Sequence, residues 1–183
     1  MTLTLPAVSS DEIILTKEEN NLEVFSKSDI GLVRSQNQDD CRFGVISPSC
    51  AWAVVCDGMG GANGGNIASA TAVEYISSKI TDLYKDDMTK EQIGELIAEI
   101  VVNANMKIYE LSLKDPELTG MGTTCEFVFV KDTTVHIVHV GDSRTYAIRG
   151  GKIKQRITLL YRKWCAEVSL PMNRHRIIPI RIL

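Results

Sequence analysis

The stretch AWAVVCDGMGG, residues 51–61, decides how this chain folds. Its first six residues, Ala51 to Cys56, are all apolar, which is typical of a β-strand buried on both faces. The strand runs directly into Asp57 and Gly58. An aspartate at the exit of a buried strand, followed by glycines that let a ligand approach the backbone, is a common way to present a carboxylate at a site.

The composition is that of an ordinary folded protein. The chain has 183 residues, of which 44% are hydrophobic and 23% are charged, so we expect one domain with a core large enough to offset chain entropy. No apolar run approaches the roughly 18 residues of a membrane span, and the start of the chain lacks the features of a signal peptide. The five cysteines are odd in number and irregularly spaced, which argues against a disulfide framework or a zinc site. We therefore expect a cytoplasmic protein without a membrane partner.

The periodicity of apolar residues predicts an α+β protein. The second predicted helix begins at Thr89, where Gln92 can complete a capping box, and it ends before Pro116. Strands and helices do not alternate regularly, so antiparallel sheets with helices packed outside them are expected rather than a parallel sheet. The predicted strands are 22–27, 42–46, 51–56, 123–130, 135–140 and 144–148, and the predicted helices are 65–84 and 89–115.

The two ends of the chain differ from its middle. Residues 1–21 are polar and acidic without a sustained period, which predicts a flexible N-terminal extension. Residues 156–183 form a basic tail in which six Lys or Arg residues accompany a single acid, Glu167. A nucleic-acid-binding arm would be basic too, but this tail is rich in Ile and Leu, which a solvated arm avoids. We therefore expect no nucleic-acid partner.

Polar residues cluster where the predicted strands end. Asp39, Asp57 and Asp142 come from three different strand ends, without the His or Cys companions that zinc prefers as ligands. Ligation by oxygen alone favours Mg²⁺ or Mn²⁺. Arg34 is a planar cation whose paired donors match two phosphate oxygens, so it is suited to hold an anion beside such metals.

Each cluster alone has a simpler interpretation. Asp57 and Gly58 could form a turn, Asp142 could cap a strand, and Arg34 could pair with Asp29 on the surface. Because short motifs produce many false positives, no single cluster decides the matter. Their joint order and spacing carry the inference.

Four motifs stand in a fixed order: SDIGLVR at 28–34 with NQD at 37–39, VVCDGMGG at 54–61, MGTT at 121–124 and HVGDSR at 139–144. In this order they resemble the bacterial branch of the metal-dependent protein serine/threonine phosphatases, the PPM family of type 2C. The resemblance covers about residues 22–155, the expected N-terminal portion of such a domain. It implies an αββα sandwich of antiparallel sheets flanked by helices, here incomplete.

The resemblance also implies the site. Asp57 would bridge two ions of Mn²⁺ or Mg²⁺, and the Gly58 carbonyl would bind one of them. Asp39 would lie in the metal and water shell, Asp142 would serve a third, weaker metal, and Arg34 would grip the phosphate. The catalytic residues are then Arg34, Asp39 and Asp57. A metal-activated water would hydrolyse phosphoserine or phosphothreonine in proteins without a covalent intermediate, and a cognate kinase stays open as a partner.

Two residues depart from the family pattern. Gln38 stands where many members carry Glu, and Met59 stands where some carry a His proposed as general acid. The alternative, from a different functional class, is a non-catalytic pseudophosphatase that binds phosphopeptides through Arg34 without hydrolysis. His136 and His139 lie among Val and Ile on a predicted strand, and we expect both to be structural.

The resemblance ends near residue 155, and the two later aspartates of the family pattern are absent. Residues 156–183 can be translated back into codons, which we chose to favour a match. When these codons are read in the frame that starts at the third base of each, the resulting amino-acid sequence is similar to the next segment of the family. Our hypothesis is that the tail is frameshifted and that the domain is truncated. We expect weak or no turnover from this chain, because Asp57 then has too few partner carboxylates.

Overall fold

The computed structural model describes residues 12–18, 21–149, 152–155, 166–169 and 176–181, and it has eleven strands and two long helices within them. The helices are α1 (Gly61–Leu83) and α2 (Lys90–Lys114), and a short 3-10 helix follows at Pro116–Leu118. The strands are β1 (Glu12–Glu18), β2 (Asn21–Lys27), β3 (Asp39–Ser47), β4 (Cys50–Met59), β5 (Gly122–Thr123), β6 (Cys125–Lys131), β7 (Thr134–Val140), β8 (Tyr146–Arg149), β9 (Lys152–Gln155), β10 (Ala166–Ser169) and β11 (Arg176–Arg181).

The strands form three antiparallel sheets. The main sheet has the order β10-β7-β6-β4-β3, with β5 added to the end of β4. A second sheet has the order β11-β1-β2, and β8 pairs with β9. Strand β4 therefore lies inside the main sheet, which explains why its first seven residues are all buried. The predicted α+β class is confirmed.

The two faces of β4 contact different layers. Residues at even positions, such as Trp52 and Val54, join the core cluster that contains the buried sides of α1 and α2. Residues at odd positions, such as Val55, join a second cluster with Leu22 and Val24 of β2. The described residues thus stack as helices, main sheet and second sheet, and the other helical layer of a full αββα sandwich is not among them.

The two helices agree with their predicted stripes in most respects. Thr89 accepts a hydrogen bond from the Gln92 backbone while the Gln92 side chain accepts one from the Thr89 backbone, so the predicted capping box is present. Helix α1 begins at Gly61 rather than at residue 65. The spacing of apolar residues at steps of three and four in the first helix includes Leu83 and so predicts it in the core. Leu83 is 45% exposed instead, because it lies in the last turn of α1.

Expectations for three other parts of the chain either need correction or concern residues that the structure does not describe. Part of the extension expected to be flexible, Glu12–Glu18, forms β1 and pairs with β2. Its short apolar run of Ile and Leu is flanked by charged residues, so residues 1–21 as a whole show no sustained strand pattern. The tail contributes β10 and β11, but most of residues 156–183, and residues 1–11, lie outside the described residues. Strand β8 begins at Tyr146 rather than at residue 144.

A glycine and a tryptophan lie opposite each other in β3 and β4. Gly44 pairs with Trp52, whose side chain is buried against it. A β-carbon on Gly44 would lie 2.7 Å from Nε1 of Trp52, so only glycine leaves room for the indole. Within the part of the chain that the structure describes, neither helix is long and apolar enough to cross a membrane.

We predict that Thr89→Ala lowers the free energy of unfolding by about 1 kcal/mol, because it leaves an amide at the start of α2 without its acceptor. Urea denaturation followed by circular dichroism measures this loss. Thr89→Ser keeps the hydroxyl and should cost much less. Equal stability of the Ala and Ser variants would contradict the cap.

Candidate metal centre

The structure places two of the predicted ligands directly opposite each other. Asp39 begins β3 and Asp57 lies near the end of β4, and the two are register partners across the strand pair. Partners in an antiparallel pair project from the same face, with Cβ atoms about 4.5–5.5 Å apart. This face is the one away from the helices. Asp57 is exposed and Asp39 is half-buried, so this pair of carboxylates is accessible to ions.

Gly58 is held tightly between a helix and a loop. Its amide donates to the Gln38 carbonyl at 3.1 Å, and the same carbonyl accepts from the Ser69 hydroxyl of α1 at 2.7 Å. A β-carbon on Gly58 would lie 2.1 Å from the Gly65 carbonyl oxygen. A side chain at this position would therefore displace α1, and the backbone beside Asp57 is fixed by packing. Gln38, noted as a departure from the family pattern, supplies the backbone acceptor in this arrangement.

Two threonines hold the backbone of Asp57. The Asp57 amide donates to the Thr124 hydroxyl at 2.9 Å, and the Asp57 carbonyl accepts from the Thr124 amide at 2.9 Å. The Thr123 hydroxyl also donates to the Asp57 carbonyl, at 3.0 Å. Asp57 is thus fixed on both sides of its Cα atom, while its carboxylate stays exposed.

Asp142 lies on a loop that is bound to the same part of β6. The hydroxyls of Ser143 and Thr124 share a hydrogen bond of 2.8 Å. Glu126 is hydrogen-bonded through one carboxylate oxygen to His139 and through the other to Thr145. The loop between these two residues carries Asp142, whose side chain is exposed.

Arg34 lies on the loop between β2 and β3, and its side chain is exposed. Asn37 anchors this loop, because its side chain donates to the Ser28 hydroxyl at 2.7 Å and accepts from the Asp39 amide at 3.0 Å. The loop therefore ends at the start of the carboxylate pair. Asp29, the partner considered for Arg34, accepts a hydrogen bond from the Gly31 amide at 2.9 Å.

The donor set fits a hydrated hard cation but not a metal enclosed by protein ligands. Among the described residues, no three His, Cys, Asp or Glu side chains come together as a metal-binding group. Mg²⁺ keeps several waters and is often bound by one or two carboxylates, which is what Asp39 and Asp57 supply. The structure thus brings together Asp39, Asp57 and Gly58, and it does not bring Asp142 into one ligand group with them. A third metal at Asp142 stays a prediction.

The cysteine beside the site is unsuited to act as a nucleophile. Cys56 precedes Asp57, and a hydrogen bond with the Cys125 thiol, together with burial, raises the pKa of Cys56 well above its usual value. Because only the thiolate is a good nucleophile, this thiol stays unreactive near neutral pH. Cys41, Cys50 and Cys125 are also free, and Cys165 lies outside the described residues.

Glu126 is a buried polar residue that no motif in the sequence indicates. Glu126 interrupts the apolar strand β6 and is register partner of His139 in β7. The signal was a single carboxylate within a run of apolar residues, followed by a histidine on the next strand. The hydrogen bond that the His139 ring donates to the Glu126 carboxylate raises the pKa of His139 above its usual value, against the opposing effect of burial. His139 therefore stays protonated to a higher pH than a free imidazole.

Comparison with known proteins now decides the family. Residues 33–159 match the family described as protein phosphatase 2C. The chain belongs to this family. Its match ends at residue 159, just beyond the boundary of 155 expected from the motifs.

Two similar proteins of the phosphatase family illustrate the extent of the match. The protein phosphatase PhpP of Streptococcus pneumoniae is 34% identical over 134 residues, which cover 73% of this chain and 53% of that protein. The structure of the serine/threonine phosphatase of S. agalactiae superposes with a TM-score of 0.62 at 34% identity, covering 70% of this chain and 52% of that one. The chain thus spans about half the length of these relatives.

A third relative has been solved with metal. The catalytic domain of the serine/threonine protein phosphatase PstP, in complex with two manganese ions, superposes with a TM-score of 0.61 at 27% identity. The alignment covers 78% of this chain and 55% of that one. The metal ions belong to that structure.

We predict that Thr124→Val destabilises this phosphatase-family chain by about 1–3 kcal/mol, because it leaves the Asp57 amide without its acceptor. Chemical denaturation measures the change. Thr124→Ser keeps the oxygen and is the matched control. If Val and Ser variants unfold at the same denaturant concentration, the Thr124 hydroxyl does not hold Asp57.

We also predict a fall in stability with rising pH that depends on His139. Since the pKa of His139 is raised in the folded state, the protonated ring adds stability that is complete below its unfolded pKa of about 6.5. This contribution is lost as the pH rises through the folded pKa. Thermal unfolding between about pH 6 and pH 9 measures it. Glu126→Gln should flatten the profile, and identical slopes in the two proteins would refute the pairing.

Proposed function

We propose that this chain carries the first part of a metal-dependent phosphatase site that acts on phosphoserine and phosphothreonine in proteins. The observation that supports it most is the placement of Asp39 opposite Asp57, on a backbone fixed by Thr124 and Gly58. A rigid pair of carboxylates at an accessible strand end is what a hard divalent cation requires.

The metals are proposed to be Mn²⁺ or Mg²⁺, held by Asp57 and the Gly58 carbonyl, with Asp39 in the surrounding shell of metal and water. When bound, such ions lower the pKa of a coordinated water and neutralise charge on the phosphoryl group. A relative solved with two manganese ions supports this choice of metal. We also propose that this chain binds two such ions.

Residues of the chain itself would bind and orient the phosphate. Arg34 would bind two phosphate oxygens through its paired donors and orient the phosphorus toward the carboxylate pair. Asp39 and Asp57 would hold the ions at the end of the strand pair and so fix the position of the attacking oxygen. Cys56 has a raised pKa, so a thiol mechanism is disfavoured. Met59 is exposed beside the site and has no proton to give, so the proton for the leaving alkoxide would come from solvent.

The substrates and setting are inferred from similar proteins. The curated relatives are named as protein phosphatases, several of them serine/threonine phosphatases, which supports phosphorylated proteins as substrates. We propose a cytoplasmic place of action and leave a cognate kinase open as a partner. The chain spans about half the length of its relatives. Phosphatase activity of a whole protein that contains this chain is therefore also a proposal.

The alternative function is a phosphopeptide-binding pseudophosphatase. One observation favours it: within the described ranges, no group of three metal-binding side chains is present. In this alternative Arg34 would hold the phosphate without hydrolysis. Binding of a phosphothreonine peptide would then need no divalent ion and would be lost in Arg34→Ala.

We predict that Mn²⁺ binds to the chain and that Asp57→Asn weakens this binding by more than about 100-fold, beyond the usual cost of losing an outer-shell partner. Isothermal titration calorimetry measures the affinity. Release of phosphate from a phosphothreonine peptide, with and without Mn²⁺, measures turnover, which we expect to be weak because the described carboxylates form only a pair.

Asp87→Asn is the matched control, because Asp87 is an exposed aspartate on the loop between α1 and α2. It should leave Mn²⁺ binding unchanged. Equal Mn²⁺ affinity in the wild type and Asp57→Asn would refute the metal centre. Peptide binding without metal, combined with no phosphate release, would establish the pseudophosphatase instead.

A further inference from the structure

Glu126 is a carboxylate inside an apolar strand. It is only 1% exposed and lies between Cys125 and Phe127 in β6. A buried carboxylate is costly unless its oxygens are hydrogen-bonded or paired with a cation. Both of its oxygens therefore need partners, and the identity of those partners indicates what the residue does.

The two partners of Glu126 lie on either side of the Asp142 loop. One oxygen is bonded to Nδ1 of His139, the last half-buried residue of β7 before the loop. The other accepts a hydrogen bond from the Thr145 hydroxyl, just before β8. A single carboxylate thus joins the two ends of the loop formed by residues 140–144.

The same face of the sheet carries the candidate metal ligands. Glu126 is register partner of Val55 in β4, two residues from Asp57. Thr124, two residues from Glu126, bonds both the Asp57 amide and the Ser143 hydroxyl. Thr124, which directly precedes β6, and Glu126 within β6 therefore hold Asp57 and the Asp142 loop through side chains on one face of the sheet.

We propose that Glu126 is a positioning residue, which fixes the Asp142 loop so that Asp142 is held at a set distance from Asp57. The inference rests on the proposed function, in which Asp142 serves a weaker metal beside the main pair. A carboxylate suits this role because its two oxygens can accept from two donors at once. An outer-shell residue of this kind typically changes metal affinity or activity by about 10–100-fold when it is lost.

The test uses two variants that break the contact from opposite sides. Glu126→Leu removes both acceptors at similar volume, and Thr145→Val removes one donor while keeping the shape of the side chain. Thr145→Ser keeps the hydroxyl and should restore wild-type behaviour. Glu99→Gln, at an exposed position on α2, is the control for a change of charge elsewhere.

The first measurement is hydrogen exchange of the metal-free protein. We expect the amides of residues 140–145 to exchange about 10-fold faster in Glu126→Leu and Thr145→Val, with no change in α2. Neither Thr145→Ser nor Glu99→Gln should differ from the wild type. A structural role spread over the fold would raise exchange in α2 as well, which would overturn the proposal. Unchanged exchange in the loop would also overturn it.

The second measurement is the Mn²⁺ concentration that gives half-maximal hydrolysis of p-nitrophenyl phosphate. We expect it to rise about 10-fold in the same two variants, with little change in KM. An unchanged Mn²⁺ requirement together with a loosened loop would overturn the positioning role. No binding of Mn²⁺ to the wild type in calorimetry would refute the proposed function, and the exchange measurement would still decide whether Glu126 holds the loop.

Discussion

The candidate site depends on the hydrogen bonds between the backbone of Asp57 and Thr124. They join the end of β4 to the residue that directly precedes β6, so the carboxylate of Asp57 projects from a backbone with little freedom. A metal ligand gains affinity when its position is set before the ion arrives, because less conformational entropy is lost on binding. The strand behind Asp57 is fully buried, which makes the attachment point as rigid as the core itself.

Helix α1 adds a second constraint to the same segment. Gly58 and Gly65 approach so closely that neither strand nor helix can move without the other. Ser69 and Gly58 both donate to the Gln38 carbonyl, and the following residue is Asp39. The two carboxylates are therefore placed by one small group of backbone contacts rather than by side chains that reach across a cavity.

Much of this arrangement could be predicted from the sequence. The buried strand before Asp57, the capping box at Thr89 and the α+β order follow from local patterns with few competing interpretations. The pairing of Asp39 with Asp57 could not be predicted from periodicity, because register depends on contacts between strands. The motif order supplied the expectation that they meet.

Other features depended on contacts that no local pattern contains. The role of Thr124 is set by its distance from Asp57, and that of Glu126 by residues on two other elements. Strand β1 was hidden because charged residues surround its short apolar run. A local sequence pattern indicates the helix or strand to which a residue belongs. The roles of Thr124 and Glu126 depend instead on contacts with residues that are distant in sequence.

The pairing of Gly44 with Trp52 has a consequence at the far end of the same two strands. Sliding β3 by one residue past β4 would bring Phe43 or Val45 against the indole, where there is no room for a side chain. Such a slip would also turn every residue of β3 to the opposite face and separate Asp39 from Asp57. The close packing of Trp52 against Gly44 therefore fixes the register of β3 and β4, and this register keeps Asp39 opposite Asp57.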